Sequence, residues 1–308
     1  MENSQETSDA ESRSVLEPIS AACGRSGRIL FHPFEIKKWF VLGFCAWLAR
    51  LGTGGGAGGT NWDVPDEGRA EREFERVQDW FVTHLGLAIG LVVLLVLSGI
   101  LLWVLLTWLS SRGKFMFLDG VVHNRGAVVE PWHRFRALGN SLLGLRLVLV
   151  ILAVITIGVT VALPAFSFLA IGFDEDDLSF AAIVLLGVWM ALIAALVCAF
   201  LLVGLIVNDF LVPIMWLRGC RALDAWPELR TLLCTNPGIF VLYALVKIVA
   251  VVVIGFFVCA AVCATCCIAA IPYLGTVLLL PLFVFLRSYS ICFLTQFGPD
   301  YAALDGVE

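Results

Sequence analysis

Five stretches of this chain, at residues 85–108, 145–166, 180–207, 239–264 and 271–293, are almost continuously apolar. A helix rising 1.5 Å per residue needs about 20 such residues to cross roughly 30 Å of hydrocarbon, and each stretch is long enough. Inside lipid every backbone N–H and C=O must find a partner within the protein, so stretches of this kind fold as helices. The chain is therefore predicted to be an all-α integral membrane helical bundle. Composition agrees, because 60% of the residues are hydrophobic and only 15% are charged, against about 45–50% and about 25% in soluble domains. The net charge of −5 argues against nucleic acid as a partner, since such surfaces are basic.

A sixth segment, residues 39–51 (WFVLGFCAWLARL), is shorter and carries Arg50 near its end. It reads as an interfacial helix or as a short span that thins the bilayer. Residues 1–26 are polar, acidic and Ser-rich, the composition of a disordered tail,. They lack the charged and apolar regions of a cleavable signal peptide.

Lys and Arg placement sets orientation. The connection after the first long span carries Arg112, Lys114, Arg125, Arg134 and Arg136, with Arg146 just inside the next span. The connection after the third carries Arg218, Arg221 and Arg230, whereas the one between them is Asp174-Glu175-Asp176-Asp177 with no base. Both basic loops are thus assigned to the cytoplasm. Six spans with both termini cytoplasmic, in the cell membrane, is the favoured topology.

The two basic loops also match each other. One reads Arg125-Gly126, then Glu130-Pro131-Trp132, Phe135-Arg136 and Asn140; the other reads Arg218-Gly219, then Asp224-Ala225-Trp226, Leu229-Arg230 and Asn236. Trp132 with Phe135, and Trp226 with Leu229, fall at i and i+3 on one face of a helix. Tryptophan suits headgroup depth and arginine can hold lipid phosphate. Each loop is therefore read as an amphipathic elbow, with Arg125, Trp132, Arg136, Arg218, Trp226 and Arg230 as interfacial anchors. Asn140 or Ser141, and Asn236 before Pro237, read as N-caps of the following spans. Elbows on the same side make the halves parallel repeats. The chain divides into a tail (1–26), a short hydrophobic helix with Gly-rich linker and acidic amphipathic helix (27–84), a first repeat (85–178), a second repeat of three spans (179–297) and a C-terminal tail (298–308).

These elbows, together with Phe34-Glu35-Ile36-Lys37-Lys38-Trp39-Phe40 and Gln296-Phe297-Gly298-Pro299-Asp300-Tyr301, resemble a family of uncharacterised bacterial integral membrane proteins. That family is similar to the membrane domain accompanying some glycerophosphodiester phosphodiesterases. The resemblance implies six helices and no assigned chemistry. The catalytic barrel of those enzymes, about 250 residues, has no room here.

Charge within the spans is the sharpest functional signal, because an unpaired charge at a helix centre costs at least about 2.5 kcal/mol. Asp209, Lys247 and Arg287 are predicted to meet as an intramembrane polar cluster, with Asn208 and Tyr289 as hydrogen-bond partners. Such a cluster is either a substrate or ion site or a structural lock. Cys259, Cys263, Cys266 and Cys267 lie along one helix stripe, where they suit close helix packing better than a metal, whose ligands converge from several segments. Gly52 to Gly59 lacks the Lys-Ser/Thr of a phosphate loop and reads as a linker. Asp174 to Asp177 reads as a solvated loop.

No cofactor, no metal and no enzymatic activity are expected, since no nucleophile–base or metal-ligand pattern is present. The sequence supports a membrane scaffold or accessory module that contacts lipid and an unidentified membrane protein. The alternative is a small transporter or lipid-handling protein. A cavity ending at Lys247 and Arg287 would favour the second, and mutual satisfaction of those groups the first.

Overall fold

The computed structural model describes residues 14–32, 34–51, 83–171, 180–264 and 272–305, which form helices and no strands. The elements are α1 (Glu17–Phe31), α2 (Ile36–Arg50), α3 (Leu85–Val122), α4 (Val129–Arg134), α5 (Arg136–Ile171), α6 (Phe180–Ile206) and a π-helical turn (Val207–Leu211). They continue with α7 (Val212–Arg218), α8 (Ala222–Thr235), α9 (Pro237–Ala264), α10 (Pro272–Leu278) and α11 (Leu280–Leu294), then 3-10 turns at Thr295–Phe297 and Pro299–Asp305. Five runs are long and apolar enough to cross a bilayer: Leu85–Val122, Arg136–Pro164, Val184–Arg218, Pro237–Ala264 and Leu280–Phe297. The chain is thus a membrane helical bundle.

The first four of these runs share one asymmetry. Each has about 20 uncharged residues at one end, long enough for the hydrocarbon, and its charges at the other. In α3 no charged residue precedes Arg112, and in α6 none precedes Asp209 in the following turn. Burial follows charge. Leu94, Leu101, Val154, Leu186 and Val252 are exposed on the apolar ends, whereas Ser110 to Val122 of α3 are buried without interruption. Lipid is as apolar as leucine and gives these outer faces no reason to pack. The folded core therefore sits at the charged end, and the apolar ends extend from it.

The helix α1 corrects the reading of residues 1–26 as a tail. Residues 1–13 lie outside the described residues, but Glu17–Phe31 is helical. Ser14 Oγ accepts the backbone N–H of Leu16 and Glu17, each at 3.2 Å, and Pro18 suits the first turn. Pro18, Ala22, Ser26, Ile29 and Leu30 form a buried stripe at helical spacing that packs on α11. A mostly polar composition concealed that narrow stripe.

The segment read as 39–51 falls in α2 up to Arg50, with Leu51 as its C-cap. At 15 residues α2 is about 22 Å long, shorter than the hydrocarbon thickness, and its inner face, with Leu42, Cys45, Ala46 and Leu48, is buried in the core. It runs beside the buried half of α3, with Ser110 Oγ donating to Ala49 O at 2.7 Å. Gly113 makes the contact: a Cβ there would sit 2.6 Å from the Ala49 nitrogen. The span expected at 271–293 is also divided, since α10 and α11 meet at Leu279 (φ −92°, ψ 9°). Pro281 has no N–H to carry the helical ladder through that point. The N-terminal Val15 carbonyl accepts from Tyr289 at 3.2 Å, and Tyr301 bonds the second elbow at 2.6 Å. Both described ends thus lie at the charged end of the bundle.

Candidate functional site

The π-helical turn organises the cluster. Val212 N–H bonds Val207 O, five residues back, and Pro213, which would be next to donate, has no N–H. The Asn208 carbonyl is thereby left without a helical donor. Arg287 Nη1 supplies one at 2.9 Å. The same turn aims Asp209 at α9, where Lys247 Nζ lies 3.2 Å from Oδ2. Tyr243 OH donates to that oxygen at 2.9 Å, and Asn208 Nδ2 donates to Oδ1 at 3.2 Å. Lys247 also donates to the Leu286 carbonyl at 2.9 Å. The structure therefore brings Asp209, Lys247 and Arg287 to one place, all more than nine-tenths buried.

Two details differ from expectation. Tyr243, not Tyr289, bonds the carboxylate, while Tyr289 donates to Val15 O and stacks on Tyr243 with centroids 5.1 Å apart. More consequentially, the cluster forms one wall of a cavity of about 540 Å³ that Arg50, Lys114 and Arg146 also line. Among the described lining residues the formal charges are five positive and one negative. The sequence assigned Lys114 and Arg146 to topology and Arg50 to a helix end. Positive-inside patterning absorbed their signal.

These bases are unevenly satisfied. Arg146 reaches Ser110 and Ser111 hydroxyls only at 3.4 Å, and Arg50 lies 4.4 Å over the Phe283 ring. Among the described residues no hydrogen bond or ion pair engages Lys114, and Arg287 Nε and Nη2 are buried without a partner. Apolar residues line the cavity as well, among them Phe200, Leu201, Gly204 and Val251. Leu201 and Val251 are exposed on the lipid-facing surfaces of α6 and α9. The cavity thus combines basic side chains with apolar ones that reach the lipid-facing surface.

The elbow residues fall into two groups. Arg125 pairs with Asp119 at 3.0 Å and Glu130 at 3.2 Å, and Arg218 with Glu228 at 3.1 Å and Asp300 at 3.0 Å. Each arginine thus holds two carboxylates of its own protein. Arg136 and Arg230 face outward. Trp132 packs edge-on against Trp108, and Arg112 lies over both rings at 4.9 and 4.2 Å. Trp226 is turned outward while Leu229, its expected facial partner, is buried, because the buried face of α8 is Ala222, Ala225 and Leu229.

The expected caps are also redistributed. Asn140 lies inside α5, where its Oδ1 accepts from Trp108 Nε1 and Arg112 Nη2, both at 3.2 Å. Ser141 Oγ accepts the Ala222 backbone N–H at 2.9 Å, capping the second elbow from the first half of the chain. Both long helices leave their last turn through a left-handed residue, Asn124 (φ 50°) or Gly219 (φ 63°), a common helix ending. The C-terminal segment closes on the second elbow. Burial, and then its 2.6 Å bond to Glu228, push the Tyr301 phenol above its ordinary range.

No group of three metal-ligating side chains occurs among the described residues. Cys259 and Cys263 are exposed on α9, while Cys266 and Cys267 fall outside the described residues. So do the Gly-rich stretch at 52–59, the acidic amphipathic helix expected to follow it and the acids at 174–177.

Fold and site together define a multi-pass, all-α membrane protein with a basic cavity at one end of its spans. The chain belongs to a family of unknown function, DUF7544, whose model matches residues 14–295. No match was found among curated proteins or among solved structures.

Proposed function

We propose that this protein is a lipid-handling membrane protein or small transporter, non-enzymatic, whose cavity receives an anionic group. One observation carries the reading: among the described residues, five bases and a single acid share one cavity. Burying charge is costly unless it is compensated. The Asp209–Lys247 pair alone would suit a structural lock, but a lock gives no reason to add Arg50, Lys114 and Arg146. A membrane scaffold needs no such cavity. The matched roles of Arg125 and Arg218, each holding two carboxylates at an elbow, support two parallel repeats that frame it.

The basic end is read as the cytoplasmic side of the cell membrane, with both termini there. The similarity to membrane domains beside glycerophosphodiester phosphodiesterases forms part of this reading and names no ligand. The test is purification in mild detergent followed by mass spectrometry of the retained lipid. Enrichment of anionic lipid over the bulk membrane is expected, diminished in a Lys114→Gln/Arg146→Gln variant. Retained lipid matching the bulk in both proteins would refute the proposal.

A further inference from the structure

We infer that the cavity is built for the phosphate of an acylated lipid headgroup, with Arg287 as its bidentate ligand, Lys114 as a second contact, and entry between α6 and α9. This rests on the proposed anion-binding role and narrows it to one chemistry and one route.

The guanidinium of Arg287 carries the argument. Its Nη1 is committed to Asn208 O at 2.9 Å, which fixes the plane of the group. The Nε and Nη2 donors form the opposite, side-on edge, and both are buried with no acceptor among the described residues. A buried donor left unmade costs more than a typical hydrogen bond contributes, and more for a charged group. Two parallel N–H groups of one arginine match two oxygens of a phosphate or carboxylate. Arg287 lines the cavity together with Lys114, whose ammonium is likewise unengaged among the described residues.

Charge selects phosphate. Among the described lining residues, five formal positive charges against one negative leave an excess of four. A single carboxylate would leave most of that repulsion in place, whereas a phosphomonoester headgroup, as in phosphatidic acid, carries about two negative charges and three acceptor oxygens. Shape then selects a lipid. Phe200, Leu201 and Val251 line the same cavity, and Leu201 and Val251 also belong to the exposed, lipid-facing surface. Soluble phosphate makes no use of that wall, whereas an acyl chain lies along it with its headgroup among the bases. The bases also lie where the long apolar runs of α3 and α6 end. That is headgroup depth for a lipid entering from the adjacent leaflet.

The test uses the full-length protein in a non-ionic detergent, with dioctanoyl phosphatidic acid, octanoate and inorganic phosphate as separate probes, read by calorimetric titration and by thermal shift. Phosphatidic acid is expected to bind at least about tenfold more tightly than either other probe. Arg287→Lys keeps the charge and removes the fork, and is expected to weaken phosphatidic acid by about tenfold, in line with a charged hydrogen bond. Lys114→Gln gives a second variant that leaves the Asn208 contact intact, and the same direction is expected. Leu201→Trp narrows the apolar entry and should weaken the lipid while leaving inorganic phosphate unaffected.

Equal binding by wild type and both the Arg287→Lys and Lys114→Gln proteins would overturn the assignment of the phosphate site. Inorganic phosphate binding as tightly as the lipid would overturn the lipid source. Tight octanoate binding insensitive to Arg287→Lys would overturn the phosphate chemistry and leave the broader anion-binding proposal standing. Failure of every anionic probe would remove both.

Discussion

Replacing Asp209 with Asn tests whether the polar cluster is mutually supporting. The substitution keeps the shape and an acceptor for Tyr243 OH, now 2.9 Å away, but removes the carboxylate beside Lys247 Nζ at 3.2 Å. In soluble proteins, deleting one partner of a buried ion pair costs about 3–5 kcal/mol. Polar contacts within bilayers average about 0.6 kcal/mol, with a maximum near 1.7. This pair lies at the charged end of the spans, in the folded core, and Lys247 keeps the Leu286 carbonyl at 2.9 Å. A loss of about 2 kcal/mol follows, a roughly 30-fold shift in the unfolding equilibrium. Reversible unfolding in mixed micelles provides the assay, with Lys247→Met and the double variant completing the cycle. The double variant buries neither charge, so a coupling energy of at least about 1 kcal/mol is expected. An Asp209→Asn protein within about 0.5 kcal/mol of wild type, or a coupling near zero, would refute the reasoning.

Gly113→Val should destabilise the fold by about 2 kcal/mol, because its side chain meets the α2 backbone 2.6 Å from Cβ,. Gly144→Ala, with nothing within 4 Å, is the control, and equal melting of the two variants would dismiss the close-packing account. Ser141→Ala removes the cap on Ala222 N–H and should cost about 1 kcal/mol, read as faster hydrogen exchange in the first turn of α8. Tyr301→Phe tests the closure of the second elbow through its pH dependence. Burial and the Glu228 bond raise the folded phenol's pKa, so the stabilisation is complete below the unfolded value of about 10. It is lost as pH rises toward the folded value. Melting curves should show the wild-type advantage narrowing above pH about 10, and a constant gap would contradict it.

Helical class was legible because the bilayer imposes a length and a hydrophobicity that few other folds share. The cluster of Asp209, Lys247 and Arg287 was legible because a charge inside an apolar run is anomalous. The α1 helix was hidden because a stripe of Ala22, Ser26, Ile29 and Leu30 barely raises the mean hydropathy of a polar segment. The division at Leu279 was signalled by Pro281. Asn140 carries a cap-like signature, yet it lies within α5 as an acceptor for Trp108 and Arg112. Spacing alone gives no information on what lies across the neighbouring helix.

Lys114 and Arg146 were hardest to read because one physical rule accounted for them already. A base at the inner end of a span is explained by orientation, and that explanation is complete without a cavity. Yet orientation needs charge only near the span, whereas these side chains meet Arg50, Lys247 and Arg287 around one space. Convergence is the added information, and it comes from residues far apart in sequence. Pro213 supplies the nearest local clue. By removing one N–H it frees the Asn208 carbonyl, which holds Arg287 by Nη1 and leaves the other edge of the guanidinium unoccupied. An evenly wound helix through Asn208 would capture that carbonyl itself. The arginine would then lose its anchor, and the cavity its one fixed fork.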